Sequence, residues 1–523
     1  MRIVISGWGR ALKTAVMLKR GVSSIINTMR SLTAIFNARR ESILGLALFV
    51  LTLIAYAPAL RDGFVFDDGL LITENPMVRA DDGLYRFWYT TEAPDYYPLT
   101  WSLWWLEWQE FGRDPFGYHL VNVLLHSTNA LLVWIVLRRL KVPGAWLIGA
   151  IFAFHPVNVA TVAWISEQKN TLSMGFFLSA ILLYLRFEEE NRRLWYAASL
   201  SSFALALLAK PAVVMLPFVL LGCVWWQRGR IGSRDWLRSV PFFALAGAAG
   251  LTTVWFQSHR AMEGLALKPE SFATRLAAAG RVPWFYLSKA VLPFNLTLIY
   301  PSWKIDPANW TSYLPGVLLV ICFAVFWWKR RTWGRPLLFG LGYFVVMLFP
   351  VLGFLDQGFY IFSRVADHWQ YPAIVGAIAL MVVGGKWIDN HLKERNLYWG
   401  PAMASAVIVA ACASTWMRCN VYKNDESLWW DNVKRNPSAW IAHNNLGTAL
   451  RARGDLPMAI DQFEKALRIK PDSVAAHFNL AVALEQTGKA ESAIDHYEQA
   501  LQLDPSLSVV RDRIARLRTM PNQ

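Results

Sequence analysis

The chain has 523 residues, of which 55% are hydrophobic and 17% charged. This balance is too apolar for an ordinary soluble protein and is typical of an integral membrane protein. The formal net charge of +15 would suit a nucleic-acid partner, but the basic residues form short clusters between apolar segments. The positive-inside rule produces that pattern, so we expect a lipid bilayer and no nucleic acid.

Apolar segments that approach the roughly 20 residues of a membrane span recur along the chain. We take eleven as candidate spans: 43–60, 117–137, 143–164, 171–187, 194–209, 212–227, 239–257, 310–328, 336–355, 367–385 and 398–416. They predict an all-α fold, a polytopic transmembrane helix bundle over residues 43–420. Residues 1–42 precede it as a basic tail, predicted to be cytoplasmic because its first 40 residues contain Lys and Arg but no acid.

The connecting segments predict the orientation. Alternate links each carry at least three Lys or Arg, which assigns them to the cytoplasm. The opposite side then receives two long outer loops, 61–116 and 258–309. The links alternate between the two sides of the membrane along the whole chain only if the helical stretch 281–294 does not cross the membrane. We therefore predict that this stretch is interfacial or re-entrant.

A 34-residue repeat follows the last span. The stretch beginning at Ala442 recurs from Ala476 with small and large apolar residues at the same positions, which is the tetratricopeptide pattern. We predict an α-solenoid over 421–510, with a half-repeat at 421–437 that docks the array on the last span, repeats at 442–475 and 476–509, and a tail at 511–523. An array of so few repeats is only marginally stable on its own.

Two adjacent acids, Asp67 and Asp68, lie in the first outer loop in the stretch "FVFDDGLLITENP". Asp is favoured in solvated turns and at helix N-caps. Alternatively, a carboxylate that is partly desolvated beside a like charge has a raised pKa and serves as a general base. A third reading is a hard-cation site. The residues alone leave all three open.

The same loop contains "DYYPLTWSLWWLEW", whose tryptophans recur at spacings of three and four: Trp101, Trp104, Trp105 and Trp108. This spacing predicts an aromatic stripe on a helix that lies in the membrane interface. The stripe would either anchor the loop in the membrane or form walls for a lipid tail or a sugar.

Further polar residues lie within or beside the apolar segments. Intramembrane polar groups usually face the bundle interior, where they either bond helices together or line a substrate pocket. The candidates are His119, Asn122, His126, Asn129, His155, Asn158, Glu167 and Lys169. On the outer side, Arg364, Lys289 and Arg281 are candidate phosphate ligands, and Asp367 and His368 follow Arg364 as further pocket candidates.

Several segments together resemble a known family. "FVFDD", "HPVNVATVAWISEQKNTLS", "LLAKPAVVMLPFVLL", "VADHWQYPAIVG" and "NDESLWWDNVKRNPSAWIAHNNLGTAL", in this order, are similar to bacterial relatives of the transmembrane and tetratricopeptide repeat-containing O-mannosyltransferases. Those proteins belong to the GT-C superfamily of lipid-donor glycosyltransferases. The resemblance runs from about residue 43 to the repeats.

The resemblance implies an inverting transfer of mannose or another hexose from a polyprenyl-phosphate carrier. The acceptor would be a hydroxyl of a secreted or periplasmic protein, on Ser or Thr, or of a glycan. Asp67 and Asp68 correspond to the family's acidic motif, as a base or as ligands of a divalent metal, Mg or Mn; relatives differ on metal use, so the cofactor is left open.

This sequence departs from the family at two motifs. Relatives commonly carry a second His and a Glu where this chain has Asn158 and Ala160, and an Arg where it has His368. The first departure puts an acid–base or metal role of the His155 motif in doubt.

We therefore expect an enzyme of the bacterial inner membrane, with its N-terminus cytoplasmic and its repeats in the periplasm, where they recruit the acceptor. The competing hypothesis is a non-catalytic membrane scaffold that presents repeats to periplasmic partners.

Overall fold

The computed structural model describes residues 39–262, 270–393 and 399–519. Every regular element in these ranges is a helix, which confirms the all-α class. The described residues divide into two compact units, with the boundary between Leu51 and Thr52. The first helix, α1, covers residues 39–55. Most of the predicted tail 1–42 lies outside the described residues.

The apolar part of the chain forms a series of long helices. These are α5 (Pro115–Arg139), α6 (Ala145–Phe154), α7 (Val159–Val162), α8 (Gln168–Glu190), α9 (Arg193–Ala209), α10 (Leu216–Arg228), α11 (Ser233–Phe256), α12 (Phe272–Val291), α13 (Leu314–Trp328), α14 (Gly334–Leu348), α15 (Ile374–Lys393) and α16 (Gly400–Cys419). Within the described residues, 7 helical segments are long and apolar enough to cross a membrane, or 8 if the pair α6–α7, bent by 47°, counts as one span.

The predicted count of eleven spans is not confirmed. Each of the eleven segments contains helix, but α9 has only 17 residues, and α15 ends in a polar stretch that includes His391 and Lys393. The stretch predicted to be interfacial belongs to α12, a 20-residue helix that contains Pro283 and is not among the span-like helices of the described chain. Its placement at the interface, like the orientation of the chain, stays a prediction.

The first outer loop folds into three helices around a small aromatic core. They are α2 (Pro76–Arg79), α3 (Gly83–Tyr89) and α4 (Pro98–Phe111). Trp101 and Trp104 of α4 are each 2% exposed, and Trp101 stacks on Phe87 of α3 with ring centroids 5.3 Å apart. The predicted helix is present, but its buried tryptophans pack the interior of the loop, a role that the spacing alone did not indicate.

The repeat region forms six helices: α17 (Asp425–Arg435), α18 (Trp440–Arg453), α19 (Leu456–Ile469), α20 (Val474–Gln486), α21 (Ala490–Leu503) and α22 (Ser508–Thr519). The equivalent positions Phe463 and Tyr497 are both fully buried. A Cβ added at Gly447 would lie 2.6 Å from the Phe463 ring, so the close approach of α18 to α19 requires glycine there. The stretch predicted as a tail is helical through residue 519, because Ile514 and Leu517 bury the apolar face of α22.

Helix α17, the predicted half-repeat, packs on the outer loops. Its leading segment bonds to the first loop, where the backbone N–H of Gly63 donates to the Lys423 carbonyl at 2.9 Å. At its other end, Asn436 Nδ2 donates to the Ile299 carbonyl at 3.2 Å. The repeats are therefore joined directly to the segment that carries the two adjacent acids.

Candidate active site

The two acids follow a turn in a left-handed backbone conformation. Phe66 has φ = 54°, a region in which a bulky residue without a special cause is rare. Its ring lies between two indoles, at centroid distances of 5.7 Å from Trp164 and 5.1 Å from Trp429. Immediately after the acids a π-helical turn begins at Gly69. The turn fixes the direction in which the two carboxylates leave the chain.

Asp68 is completely buried, and both of its carboxylate oxygens are engaged. Oδ2 accepts from the Val65 backbone N–H at 2.9 Å. Oδ1 accepts from the Ser166 backbone N–H at 2.7 Å and from the Ser166 hydroxyl. Asp68 therefore links its own turn to the start of the span that contains α8.

Asp67 is half-buried and has fewer partners. Its Oδ1 accepts from Trp164 Nε1 at 3.1 Å, and the Ser166 side chain lies close enough to favour the charged form. The Asp67 carboxylate is thus oriented by an indole on a residue that is only half-buried, and a group that exchanges a proton with a substrate must be within its reach.

Burial raises the pKa of both acids. The pKa of Asp67 rises to about 6, because desolvation outweighs the opposing charge of Lys169. The pKa of Asp68 rises to about 8, because desolvation is reinforced by the charge of Asp67. Asp67 therefore has the lower pKa of the coupled pair and is the carboxylate that ionises first.

A cluster of ionisable side chains lies next to this pair: Glu167, Lys169, Lys210 and His368. The Glu167 carboxylate is 3.1 Å from Lys169 Nζ and 3.2 Å from Lys210 Nζ, and His368 Nε2 lies 3.8 Å away. The His368 ring also contacts Trp164, with centroids 5.4 Å apart. Trp164 therefore touches both the acid pair and the cluster, which makes them one site.

The structure connects some of the other predicted residues to this cluster. Asp367, next to His368, accepts from the Tyr300 hydroxyl at 2.8 Å. Lys289 lies 5.3 Å from the centroid of the Tyr300 ring, but its Nζ donates to the Phe294 carbonyl at 2.7 Å. Asp367 is linked to the cluster through its neighbour in the chain, His368. Lys289 is linked to it only through Tyr300 and Asp367.

The two predicted arginine ligands of phosphate have other partners. Arg364 forms an ion pair with Glu270, although its buried Nη1 makes no hydrogen bond among the described residues. Arg281 stacks on Trp303, with its guanidinium carbon 4.7 Å from the ring centroid. Neither arginine contacts the acid pair.

Two of the three predicted intramembrane histidines bond elements of the fold together. His126 pairs with the Tyr371 hydroxyl at 2.7 Å and with the Ala153 carbonyl at 3.0 Å. His155 Nε2 lies 2.9 Å from the Ala290 carbonyl. His119 is also buried, but neither of its ring nitrogens makes a hydrogen bond among the described residues.

The intramembrane asparagines do the same. Asn158 Nδ2 donates to the Phe152 carbonyl at 2.8 Å, which closes the bend after α6. Asn122 and Asn129 both bond to α8, through contacts with Thr171. The contacts of these residues join elements of the fold, and their role in a substrate pocket stays a prediction.

The acid pair offers few free oxygen ligands for a cation. The oxygens of Asp68 already accept three protein hydrogen bonds, and no group of three or more His, Cys, Asp or Glu side chains within the described ranges has a metal-binding arrangement. Any divalent cation here would rest chiefly on the free part of Asp67.

Three residues of the site were not singled out in the sequence: Trp164, Ser166 and Lys210. The first two adjoin the predicted Glu167, and their role depends on a tertiary contact across about a hundred residues. Lys210 occupies a two-residue link between apolar segments, where its charge within "LLAKP" was the only available signal.

Two segments of the chain match known protein families. Residues 98–255 match the family model described as dolichyl-phosphate-mannose-protein mannosyltransferase, and residues 437–506 match a tetratricopeptide repeat model. A protein O-mannosyl-transferase of Caenorhabditis elegans, F38B6.6, is 23% identical over 82% of this chain and 62% of its own length. The protein O-mannosyl-transferase TMTC4 of Homo sapiens is 25% identical over 78% and 64%.

The chain is a relative of the TMTC-type protein O-mannosyltransferases. A shorter match reaches 34% identity, over 26% of this chain and 17% of the protein O-mannosyl-transferase Tmtc1 of Drosophila melanogaster. The chain spans less than two thirds of the length of the TMTC-type relatives F38B6.6 and TMTC4. With its apolar helices, this relationship identifies an integral membrane protein.

Proposed function

We propose that this TMTC-type relative is a membrane glycosyltransferase that transfers a sugar, mannose by analogy with the names of its relatives, from a polyprenyl-phosphate carrier to a protein hydroxyl outside the cytoplasm. The observation that carries the proposal is the acid pair itself. One carboxylate is buried and fully bonded, and its neighbour is oriented, half-buried and ionised near neutral pH.

In this mechanism Asp67 is the general base. It removes the proton of the acceptor Ser or Thr hydroxyl while that oxygen attacks the anomeric carbon on the face opposite the phosphate. The bond between the anomeric carbon and the phosphate oxygen breaks, and its electron pair stays on the phosphate. Attack from the opposite face inverts the anomeric configuration. General-base assistance of this kind contributes about 10²- to 10⁴-fold in rate.

Asp68 is a positioning residue in the same scheme. Its hydrogen bonds to Val65 and Ser166 hold the turn against the membrane domain, so Asp67 keeps its orientation when the substrate enters. No step requires a metal. A divalent cation on the free part of Asp67 would supply electrostatic stabilisation.

In this proposal the repeats bind the acceptor protein and present it to the site. Because α17 bonds to the loop of the acid pair, a protein segment held by the repeats lies on the side of the molecule where the hydroxyl is needed. We place this side in the periplasm, with the N-terminus in the cytoplasm of a bacterial cell.

The test is transfer by purified full-length protein in detergent, with polyprenyl-phospho-mannose and Ser/Thr peptides. Asp67→Asn should lower kcat by about 10²-fold or more. Asp68→Asn, which retains an acceptor oxygen, should lose less. The exposed Glu74 lies in the same loop, so Glu74→Gln is the matched control. Full turnover by Asp67→Asn would remove the base assignment, and wild-type protein that transfers no polyprenyl-linked sugar would favour the scaffold hypothesis.

A further inference from the structure

Two lysines from different elements converge on one buried carboxylate. Lys169 lies at the start of α8, and Lys210 lies between α9 and α10. Their side chains are 14% and 13% exposed, and each Nζ is within about 3.2 Å of Glu167. Glu167 neutralises only one of the two positive charges, so the second depends on more distant carboxylates.

Those carboxylates are Asp67 and Asp95. Both act electrostatically on Lys169, and Asp95 acts also on Lys210. Asp95 itself accepts from Gln257 Nε2 at 2.6 Å, and burial raises its pKa. Two poorly exposed ammonium groups that share one close carboxylate are stabilised further when an additional anion binds beside them.

The backbone also favours an anion here. Glu167 is the N-cap of α8, and Lys169 is in the first turn of that helix. The N–H groups of Ser166, Glu167 and Gln168 already have acceptors, so it is the dipole at the start of α8 that favours negative charge here. Two lysines and a helix N-terminus therefore converge beside the acid pair.

The other basic candidates do not offer such a site. Arg364 is neutralised by Glu270, Lys289 donates to a carbonyl, and Arg281 stacks on an indole. Within the described residues, Lys169 acts electrostatically on Asp67, and Lys210 is joined to Lys169 through Glu167.

We propose that Lys169 and Lys210 bind the phosphate of the polyprenyl carrier and stabilise it as the leaving group. This inference rests on the proposed function. The donor is a phosphodiester with one negative charge, and breaking its bond to the sugar leaves a monoester with an additional charge. Fixed ammonium groups favour the monoester over the donor, as required for stabilisation that grows along the reaction. Before the donor binds, Glu167 pairs with both lysines and competes with the phosphate for them.

The experiment measures transfer and its inhibition by polyprenyl monophosphate, with uncharged polyprenol as the second ligand. Lys210→Met and Lys169→Met should lower kcat on the order of 10²-fold and raise the inhibition constant of the monophosphate at least about tenfold. Inhibition by polyprenol should not change. Lys289→Met is the matched control and should keep its inhibition constant within about twofold.

Glu167→Gln should change inhibition by the monophosphate in the opposite direction. Removing the competing carboxylate frees both ammonium groups, so the monophosphate should inhibit this variant more strongly than the wild type. Loss of folding does not produce tighter inhibition. Unchanged inhibition in both lysine variants, or weaker inhibition of Glu167→Gln, would overturn the phosphate site while the glycosyltransferase activity stands.

Failure of the proposed function gives a different result. Wild-type protein would then transfer no sugar, and binding of a fluorescent polyprenyl monophosphate would be the remaining readout. Binding that depends on Lys169 and Lys210 would support the anion site in a protein that is not a transferase. Binding that is insensitive to both lysines would exclude it.

Discussion

The backbone N–H of Phe66 donates a 2.8 Å hydrogen bond to Oδ1 of Asp425. Phe66 immediately precedes the acid pair and has a left-handed backbone, which costs on the order of 1–3 kcal/mol for a residue of this kind. Asp425 is in the first turn of α17, and Trp429 of the same helix contacts the Phe66 ring. The first helix of the repeat region therefore helps to hold the strained turn that orients Asp67.

Replacing Asp425 should separate catalysis from donor binding. In Asp425→Ala the Phe66 N–H loses its acceptor, at a cost of about 1–3 kcal/mol, and the turn relaxes away from φ = 54°. We expect kcat to fall about tenfold or more with little change in the donor KM. Asp425→Asn keeps an acceptor oxygen and should restore most of the rate. Equal kcat for the Ala variant and the wild type would show that the turn holds without this bond.

The transfer rate should rise with pH as Asp67 ionises. A general base is active only when deprotonated, and the pKa of Asp67 is raised to about 6. The profile of kcat/KM should therefore be low at pH 5, rise through pH 6 and approach a plateau near pH 7. A profile that is flat between pH 5 and 7 would contradict Asp67 as the base.

Lys169→Met should move this profile to higher pH. The positive charge of Lys169 lowers the pKa of Asp67, so removing the charge raises that pKa and the base ionises later. The profile of Lys289→Met, whose side chain donates to the Phe294 carbonyl instead, should stay in place. A shift of the Lys169→Met profile to lower pH would show that the lysine does not act on the base electrostatically.

The sequence predicted much of this architecture, because the relevant signals are local. The 34-residue repeat places Phe463 and Tyr497 in the solenoid core, and both are buried. The acid pair was recognisable as a candidate because two carboxylates beside an apolar segment need a reason to be there. Its division into a bonded Asp68 and a half-buried Asp67 depends on Ser166 and Trp164, which no local pattern connects to residues 67 and 68.

The predicted phosphate ligands show the same limit. Arg364 was chosen because guanidinium groups match phosphate oxygens, but its pairing with Glu270 brings together residues 94 positions apart. In the sequence, Lys210 was interpreted only as part of a link between spans, because its contact with Glu167 forms only when α8 and α9 pack together. Likewise, helical spacing identified one face of α4 but not that α3 covers it.

Asp62 should make the protein less stable as the pH rises. It is buried, and desolvation raises its pKa to about 7, whereas the unfolded chain has a value of about 3.9. Between those values the native state holds a proton that the unfolded state has released, so stability falls with increasing pH. Asp62→Asn should therefore raise the melting temperature at pH 8 and have little effect at pH 4. Asp81→Asn, at an exposed position of the same loop, should have no effect at either pH; an unchanged melting temperature of Asp62→Asn at pH 8 would mean that Asp62 is solvated.

Truncating Trp101 distinguishes a core role from a membrane anchor. The side chain is 2% exposed, stacks on Phe87 and donates from Nε1 to the Asp95 carbonyl at 3.1 Å. Trp101→Ala should destabilise the outer loop by about 3–5 kcal/mol, seen as a lower melting temperature in detergent. Leu106→Ala on the same helix removes a side chain that is 54% exposed and should change stability by no more than about 0.5 kcal/mol. If the tryptophan served instead to anchor α4 in lipid, the two variants would melt alike in detergent, and Trp101→Ala would differ only after reconstitution into a bilayer.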